Sequence, residues 1–169
     1  MTKKMEKTFN EQMNAELYSA YLYLAMAAYF DNLNLEGFAN WMRVQVQEEL
    51  VHVMKFFNFV RDRRGRVALE AIGKPPKDWK SPREALEAAF KHEQMITGRI
   101  NDLVAIALVE KDNAAYSFLQ WFVTEQVEEE ASVDRVIQKL KLSGAQGAGM
   151  FMIDQELAAR VFVAPPAGA

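Results

Sequence analysis

The chain has 169 residues, half of them apolar, with 20 basic and 23 acidic side chains for a net charge of −3. Length and apolar content suit one domain over residues 1–169 with a substantial core, and the slight acidic excess argues against a nucleic-acid partner. The absence of cysteine excludes disulfides, zinc–thiolate sites, iron–sulfur clusters and a thiol nucleophile, and fits a reducing cytoplasm.

The first ten residues, Met1 to Asn10, are charged and lack the apolar run of a signal peptide. From Lys4 to Asp31 there is no Gly or Pro, and Ala, Leu, Met and Glu dominate, which predicts a long first helix. Asn32 to Asn34 reads as a short turn, with Asn34 as N-cap of a second long helix reaching Arg63. The segment Arg64 to Lys80 holds Gly65, Gly73, Pro75 and Pro76 and is expected to be irregular. Ser81-Pro82, with Glu84 following, reads as an N-cap with proline at the first helical position. The third helix then runs to Glu110, Lys111 to Asn113 is a turn, and the fourth helix runs to Leu142. After the interruption at Gly144, Gly147 and Gly149, a short fifth helix is expected over Met150 to Phe162, with 164–169 a disordered tail. No stretch approaches the roughly 20 uninterrupted apolar residues of a membrane span. A soluble chain with no membrane partner is expected.

The two tight turns make helices one and two, and three and four, antiparallel hairpins. The middle link, about 17 residues, is long for a bundle. Extended, it reaches roughly 55 Å, more than the roughly 40 Å of a 28-residue helix. It can therefore return the chain to the end of the bundle where helix two began. The expected fold is all-α: a four-helix bundle with one long crossover and a short fifth helix.

Each long helix carries an apolar stripe, and a carboxylate interrupts every stripe: Glu16, Glu49, Glu93 and Glu129. Counted from the turns, Glu16 lies about 17 residues back and Glu49 about 16 forward, and Glu93 about 19 back and Glu129 about 17 forward. Equal counts from a turn mean equal height along the axis. A single Glu in a stripe is commonly an edge residue whose carboxylate reaches solvent. Four at one height would repel and desolvate one another at several kcal/mol each, so they call for cations. Two divalent ions balance four carboxylates. His52, three residues after Glu49, projects to the same face, and carboxylates with one imidazole suit iron or manganese better than zinc.

The stretches NAELYSAYLYL, QEELVH, KHEQMITGRIN and FLQWFVTEQVEEEA together resemble the ferritin family, specifically the non-haem ferritins of bacteria and archaea. The likeness covers nearly the whole chain. Only helix two has Glu-x-x-His; helix four has Gln126-Val127-Glu128-Glu129 instead, which resembles ferritin rather than bacterioferritin. The resemblance implies a ferroxidase centre with one iron on Glu16, Glu49 and His52. A second iron would take Glu93 and Glu129, with Glu49 bridging and Gln126 close by. It further implies a looser third iron site at Glu48, Glu125, Glu128 and Glu129, although Glu128 to Glu130 also reads as a solvated helix face. Tyr23 matches a tyrosine beside the centre, a candidate electron donor; Trp121 reads as a core aromatic, and His92, one residue off the stripe, is expected to point away. No haem is expected, because the position after Glu49 that would supply an axial methionine is Leu50; the nine methionines read as core filler.

By the same resemblance the chain is an iron-storage ferroxidase that oxidises Fe(II) with dioxygen or peroxide and assembles as a homo-oligomeric shell of 24 subunits around ferric mineral. Two other readings stand beside it. A rubrerythrin-like or other non-storage di-iron enzyme is disfavoured by the missing cysteine pairs and the missing second Glu-x-x-His. A purely structural helical bundle would have a metal-free polar core.

Overall fold

The computed structural model describes residues 1–144 and 147–164. It contains α1 (Lys3–Asn32), α2 (Glu36–Asp62), α3 (Pro82–Val109), α4 (Asn113–Ser143) and α5 (Gly147–Ala158), with no strand among the described residues. No helix among them is long and apolar enough to cross a membrane. The four long helices lie within a few residues of their expected bounds.

Local chemistry accounts for the starts of three of the helices. Thr2 caps α1 by accepting from the Met5 N–H, and Ser81 caps α3 by accepting from the Glu84 N–H, with Pro82 at the first helical position. Asp112 caps α4 through Ala115 and also pairs with Arg63 at 2.9 Å. The start of α2 departs from expectation. Asn34 is not a cap but the left-handed turn residue (φ 56°), and Leu35 at the cap position offers no side-chain acceptor. The cap comes from α5 instead: Asp154 Oδ1 accepts from the backbone N–H of Gly37 at 2.8 Å and of Phe38 at 3.1 Å. The fifth helix itself starts at Gly147 and ends at Ala158, three to four residues earlier than Met150 to Phe162. It is held by docking on α2 rather than by propensity, with Ile153 and Leu157 buried in the core. Of the expected tail, 165–169 lie outside the described residues; Ala164 has no regular structure.

The link between α2 and α3 is pinned along α1. Asn10 donates to the Arg66 carbonyl and accepts from the Ala68 N–H, both at 2.9 Å, near the start of α1. Trp79 packs edge-on against Tyr29 near the end of α1, ring centres 5.2 Å apart. The link therefore traverses the bundle, and α3 runs parallel to α2 and antiparallel to α1. The pairs Tyr23–Glu93, Ser19–His92 and Gln12–Arg99 agree with that direction, residue numbers falling on α1 as they rise on α3.

The apolar core is split in two. One cluster gathers Met26, Phe30, Phe38, Met42, Leu86 and Leu140; the other gathers Phe9, Met13, Phe56, Ile100, Leu119 and Phe122. Between them lies a polar layer contributed by all four long helices.

Candidate metal centre

That layer holds every buried polar side chain among the described residues except Asp154. Helix α1 supplies Gln12, Glu16 and Ser19, and α2 supplies Gln45, Glu49 and His52. Helix α3 supplies His92 and Glu93, and α4 supplies Gln126 and Glu129. The four carboxylates expected at one height are thus all buried at mid-bundle, at 1–4 % exposure. No Lys or Arg is buried among them.

Glu16, Glu49 and His52 bring one ligand atom each to within 4.8 Å of one another. His52 Nδ1 stands 3.4 Å from Glu49 Oε2 and 4.0 Å from Glu16 Oε2. Glu16 Oε2 is buried and has no hydrogen-bond partner. A buried carboxylate oxygen that no protein donor reaches is costly, about 1–3 kcal/mol or more when charged, and a cation beside it would remove the cost. Carboxylate oxygens with one imidazole nitrogen make a donor set that fits iron or manganese.

Glu93 sits opposite. Its Oε1 accepts from the Tyr23 hydroxyl and its Oε2 from Gln126 Nε2 at 3.1 Å. Glu129 Oε2 accepts from Gln45 Nε2 at 2.7 Å. Burial pushes Glu93 up to about 7, against the pull of the Tyr23 and Gln126 hydrogen bonds. Burial and then the charge of Glu93 push Glu129 up to about 8. Glu49 is held well above the usual carboxylate range by burial and by Glu93, Glu16 and Glu129 around it. Burial, and then Glu93, Glu49 and Glu129, raise the Tyr23 hydroxyl well above its ordinary value. The layer resists carrying its full negative charge by itself.

The architecture and these residues have known counterparts. The family model of the ferritin-like domain matches residues 6–143. The chain belongs to the ferritin family. A probable bacterial non-haem ferritin-like protein of Haemophilus influenzae is 39% identical over 93% of this chain and 95% of its own length. The bacterial non-haem ferritin of Bacteroides fragilis is 39% identical over 95% of this chain and 99% of its own. Among solved structures, an open-pore ferritin of Archaeoglobus fulgidus is 53% identical, with a TM-score of 0.94 over 95% of this chain and 99% of that one. A form of the same ferritin engineered to be closed superposes with a TM-score of 0.95 over 96% and 99%.

Within this ferritin chain the other expected residues fall as follows. Glu48, Glu125, Glu128 and Glu129 line one cavity of about 360 Å³, but Arg135 and Arg160 line it too. Arg160 Nη2 pairs with Glu48 Oε2 at 2.8 Å. Glu128 is exposed, while Glu125 and Glu129 join His52 in a second group whose ligand atoms lie within 4.8 Å. Trp121 packs edge-on against His52, ring centres 5.5 Å apart, under the Lys55 ammonium. His92, expected to point away from the centre, is buried against α1, Nε2 2.8 Å from Ser19 Oγ, and burial lowers it to about 4. Four helices wrap a wider arc than one stripe, so a residue one position off the stripe still meets a neighbour.

Sequence reasoning missed Gln12, Arg99 and Arg160 and gave Gln45 no role. Gln12 donates to Glu16 Oε1 at 2.8 Å, and Arg99 Nε donates to Gln12 Oε1 at 2.9 Å. A signal was available for the glutamines: Gln12 and Gln45 precede Glu16 and Glu49 by four residues, on the same helical face.

Proposed function

We propose that the chain is the subunit of an iron-storage ferritin, with a ferroxidase centre at Glu16, Glu49, His52, Glu93 and Glu129 and Gln126 beside it. The observation that carries this reading is the unpartnered, buried Glu16 Oε2 facing Glu49 and His52. Fe(II) is the substrate. One ion would be taken by Glu16, Glu49 and His52 and a second by Glu93 and Glu129, with Glu49 between them. Two Fe(II) supply two electrons, which reduce one dioxygen to the peroxide level. Peroxide is the alternative oxidant.

The protein's own residues prepare the layer for this cargo. Raised carboxyl pKa values mean that entering cations displace protons, so uptake is linked to proton release. Tyr23, hydrogen-bonded to Glu93, would act as an electron donor beside the centre. Glu48, Glu125, Glu128 and Glu129 are the candidate third site, on the cavity that they line with Arg135 and Arg160. The family resemblance supports a homo-oligomeric shell of 24 copies around the mineral. The lack of cysteine suits a reducing cytoplasm.

The test is aerobic addition of Fe(II), following ferric absorbance together with native mass. Fast oxidation in a large assembly is expected, with Glu49→Ala losing fast oxidation while retaining assembly. A monomeric mass with oxidation no faster than buffer would defeat the storage reading. Normal oxidation by Glu49→Ala would defeat the site assignment.

A further inference from the structure

Two arginines outside the carboxylate layer reach it by the same device. On one side, Arg99 of α3 donates from Nε to Gln12 Oε1 at 2.9 Å and from Nη2 to the Glu11 carbonyl at 3.0 Å. Gln12 Nε2 then donates to Glu16 Oε1 at 2.8 Å. On the other side, Arg160, two residues beyond α5, donates from Nη1 to Gln45 Oε1 and from Nη2 to Glu48 Oε2 at 2.8 Å. Gln45 Nε2 donates to Glu129 Oε2 at 2.7 Å. Both glutamines are fully buried, at 0–1 % exposure, whereas both arginines are only partly so.

The chemistry of an amide gives these chains a direction. A glutamine side chain has an accepting end and a donating end of nearly equal shape, so packing alone does not select between its two orientations. Arginine only donates. A guanidinium at one end therefore holds the amide oxygen there and turns the NH2 toward the carboxylate. Each glutamine then engages one oxygen of its glutamate. On Glu16 the engaged oxygen is Oε1, and the one left over is Oε2, the buried atom that faces Glu49 and His52. On Glu129 the engaged oxygen is Oε2, which leaves Oε1.

We propose that Arg99 and Arg160 are paired positioning residues of the carboxylate centre. Each orients a buried glutamine so that it holds one oxygen of Glu16 or Glu129 and leaves the other for a metal ion. This rests on the reading of the layer as a metal centre. It also gives the segment after α5 a part in that centre, since Arg160 lies 31 residues beyond Glu129 in the chain and reaches it through α2.

The experiment is a Co(II) titration of the assembled protein, read by visible absorbance, on wild type, Arg99→Met, Arg160→Met, Gln45→Leu and the Arg160→Met/Gln45→Leu double variant. Methionine keeps an apolar stem beside the Trp41 ring, over which the Arg160 guanidinium lies 4.7 Å from the centre, and removes the donors together with the positive charge that pairs with Glu48. Each single variant is expected to weaken Co(II) binding about tenfold, as losses of groups that orient metal ligands do. The double variant should be no weaker than the weaker single, because both changes break one chain. Wild-type affinity in both arginine variants overturns the proposal, as does a double variant whose loss is the product of the two singles. A merely packing role for Arg160 predicts wild-type affinity in Arg160→Met. Arg99→Met tests the device independently should the α5 side fail to assemble. Glu49→Ala runs alongside: if it binds Co(II) like wild type, the metal reading itself is at fault, whatever the arginines do.

Discussion

Glu93 and Glu129 retain their protons to about pH 7 and about pH 8 because burial penalises the charge of each, and for Glu129 the charge of Glu93 adds to the penalty. An unfolded glutamate ionises near 4.5. The folded state thus binds more protons than the unfolded state between those limits, and stability must fall as pH rises through them. The contribution is fully present below about 4.5 and is lost as pH passes about 7 for Glu93 and about 8 for Glu129. Divalent metal should reverse the trend, since ions and protons compete for the same oxygens. Melting of metal-free protein between pH 5 and 9 should therefore show a fall that saturating Mn(II) removes, and Glu129→Gln should flatten its upper part. A metal-free melting temperature that is level across the window, and identical in Glu129→Gln, would contradict this account. These carboxylates were legible in the sequence because a charge at a core position of a regular helix is conspicuous. The groups that orient them were not. Arg99 and Arg160 occupy half-exposed positions, where arginine is unremarkable, and only the folded chain shows what their guanidinium groups touch.

The same division appears among the helices. The start of α3 is written in adjacent residues, Ser81, Pro82 and Glu84, and it falls where they predict. The start of α2 is not, because its cap, Asp154, lies 117 residues from Gly37 in the chain. Asn34, the nearest residue of capping type, is instead used by the left-handed turn. The junction is tight as well as polar: a Cβ on Gly37 would lie 1.7 Å from the Asp154 carbonyl oxygen. Losing the cap in Asp154→Ala should destabilise the protein by about 1 kcal/mol, within the usual range for such groups. Gly37→Ala should do more harm, since backbone cannot yield as a side-chain tip can, and α5 must shift to admit the methyl. Denaturant unfolding checks both, with Asp112→Ala, which removes the α4 cap and the Arg63 pair together, as a reference for a costly cap. If Asp154→Ala unfolds with wild type, the docking of α5 does not depend on this contact. The same junction explains the earlier start of α5. Glycines at 147 and 149 discourage a helix locally, yet burial of Ile153 and Leu157 against α2 outweighs them.

For the whole molecule, the exterior carries apolar groups that one chain leaves uncovered. Phe151 and Met152 on α5 are 64% and 71% exposed, and Val127 and Leu142 on α4 and Leu69 and Ile72 on the crossover are exposed as well. Scattered single residues of this kind are ordinary, but adjacent large ones on a helix already docked by its other face suggest a surface made to be covered. The crossover and bundle could be read from link length and stripe pattern, because both are properties of one chain. Subunit number could not, since a closed assembly depends on the angle between copies rather than on the composition of a patch. The proposed shell nevertheless makes a definite demand on α5. Its inner face, with Ile153, Asp154 and Leu157, is committed to α2, so Phe151 and Met152 remain to meet another copy. Phe151→Asp/Met152→Asp places two charges there without touching the docked face or the carboxylate layer. Native mass should drop to small species, while helical content and Co(II) binding per chain stay at wild-type levels. An unchanged native mass would remove α5 from the assembly contacts. Loss of helical content together with mass would instead mean that these side chains support the fold of the single chain, which their exposure argues against.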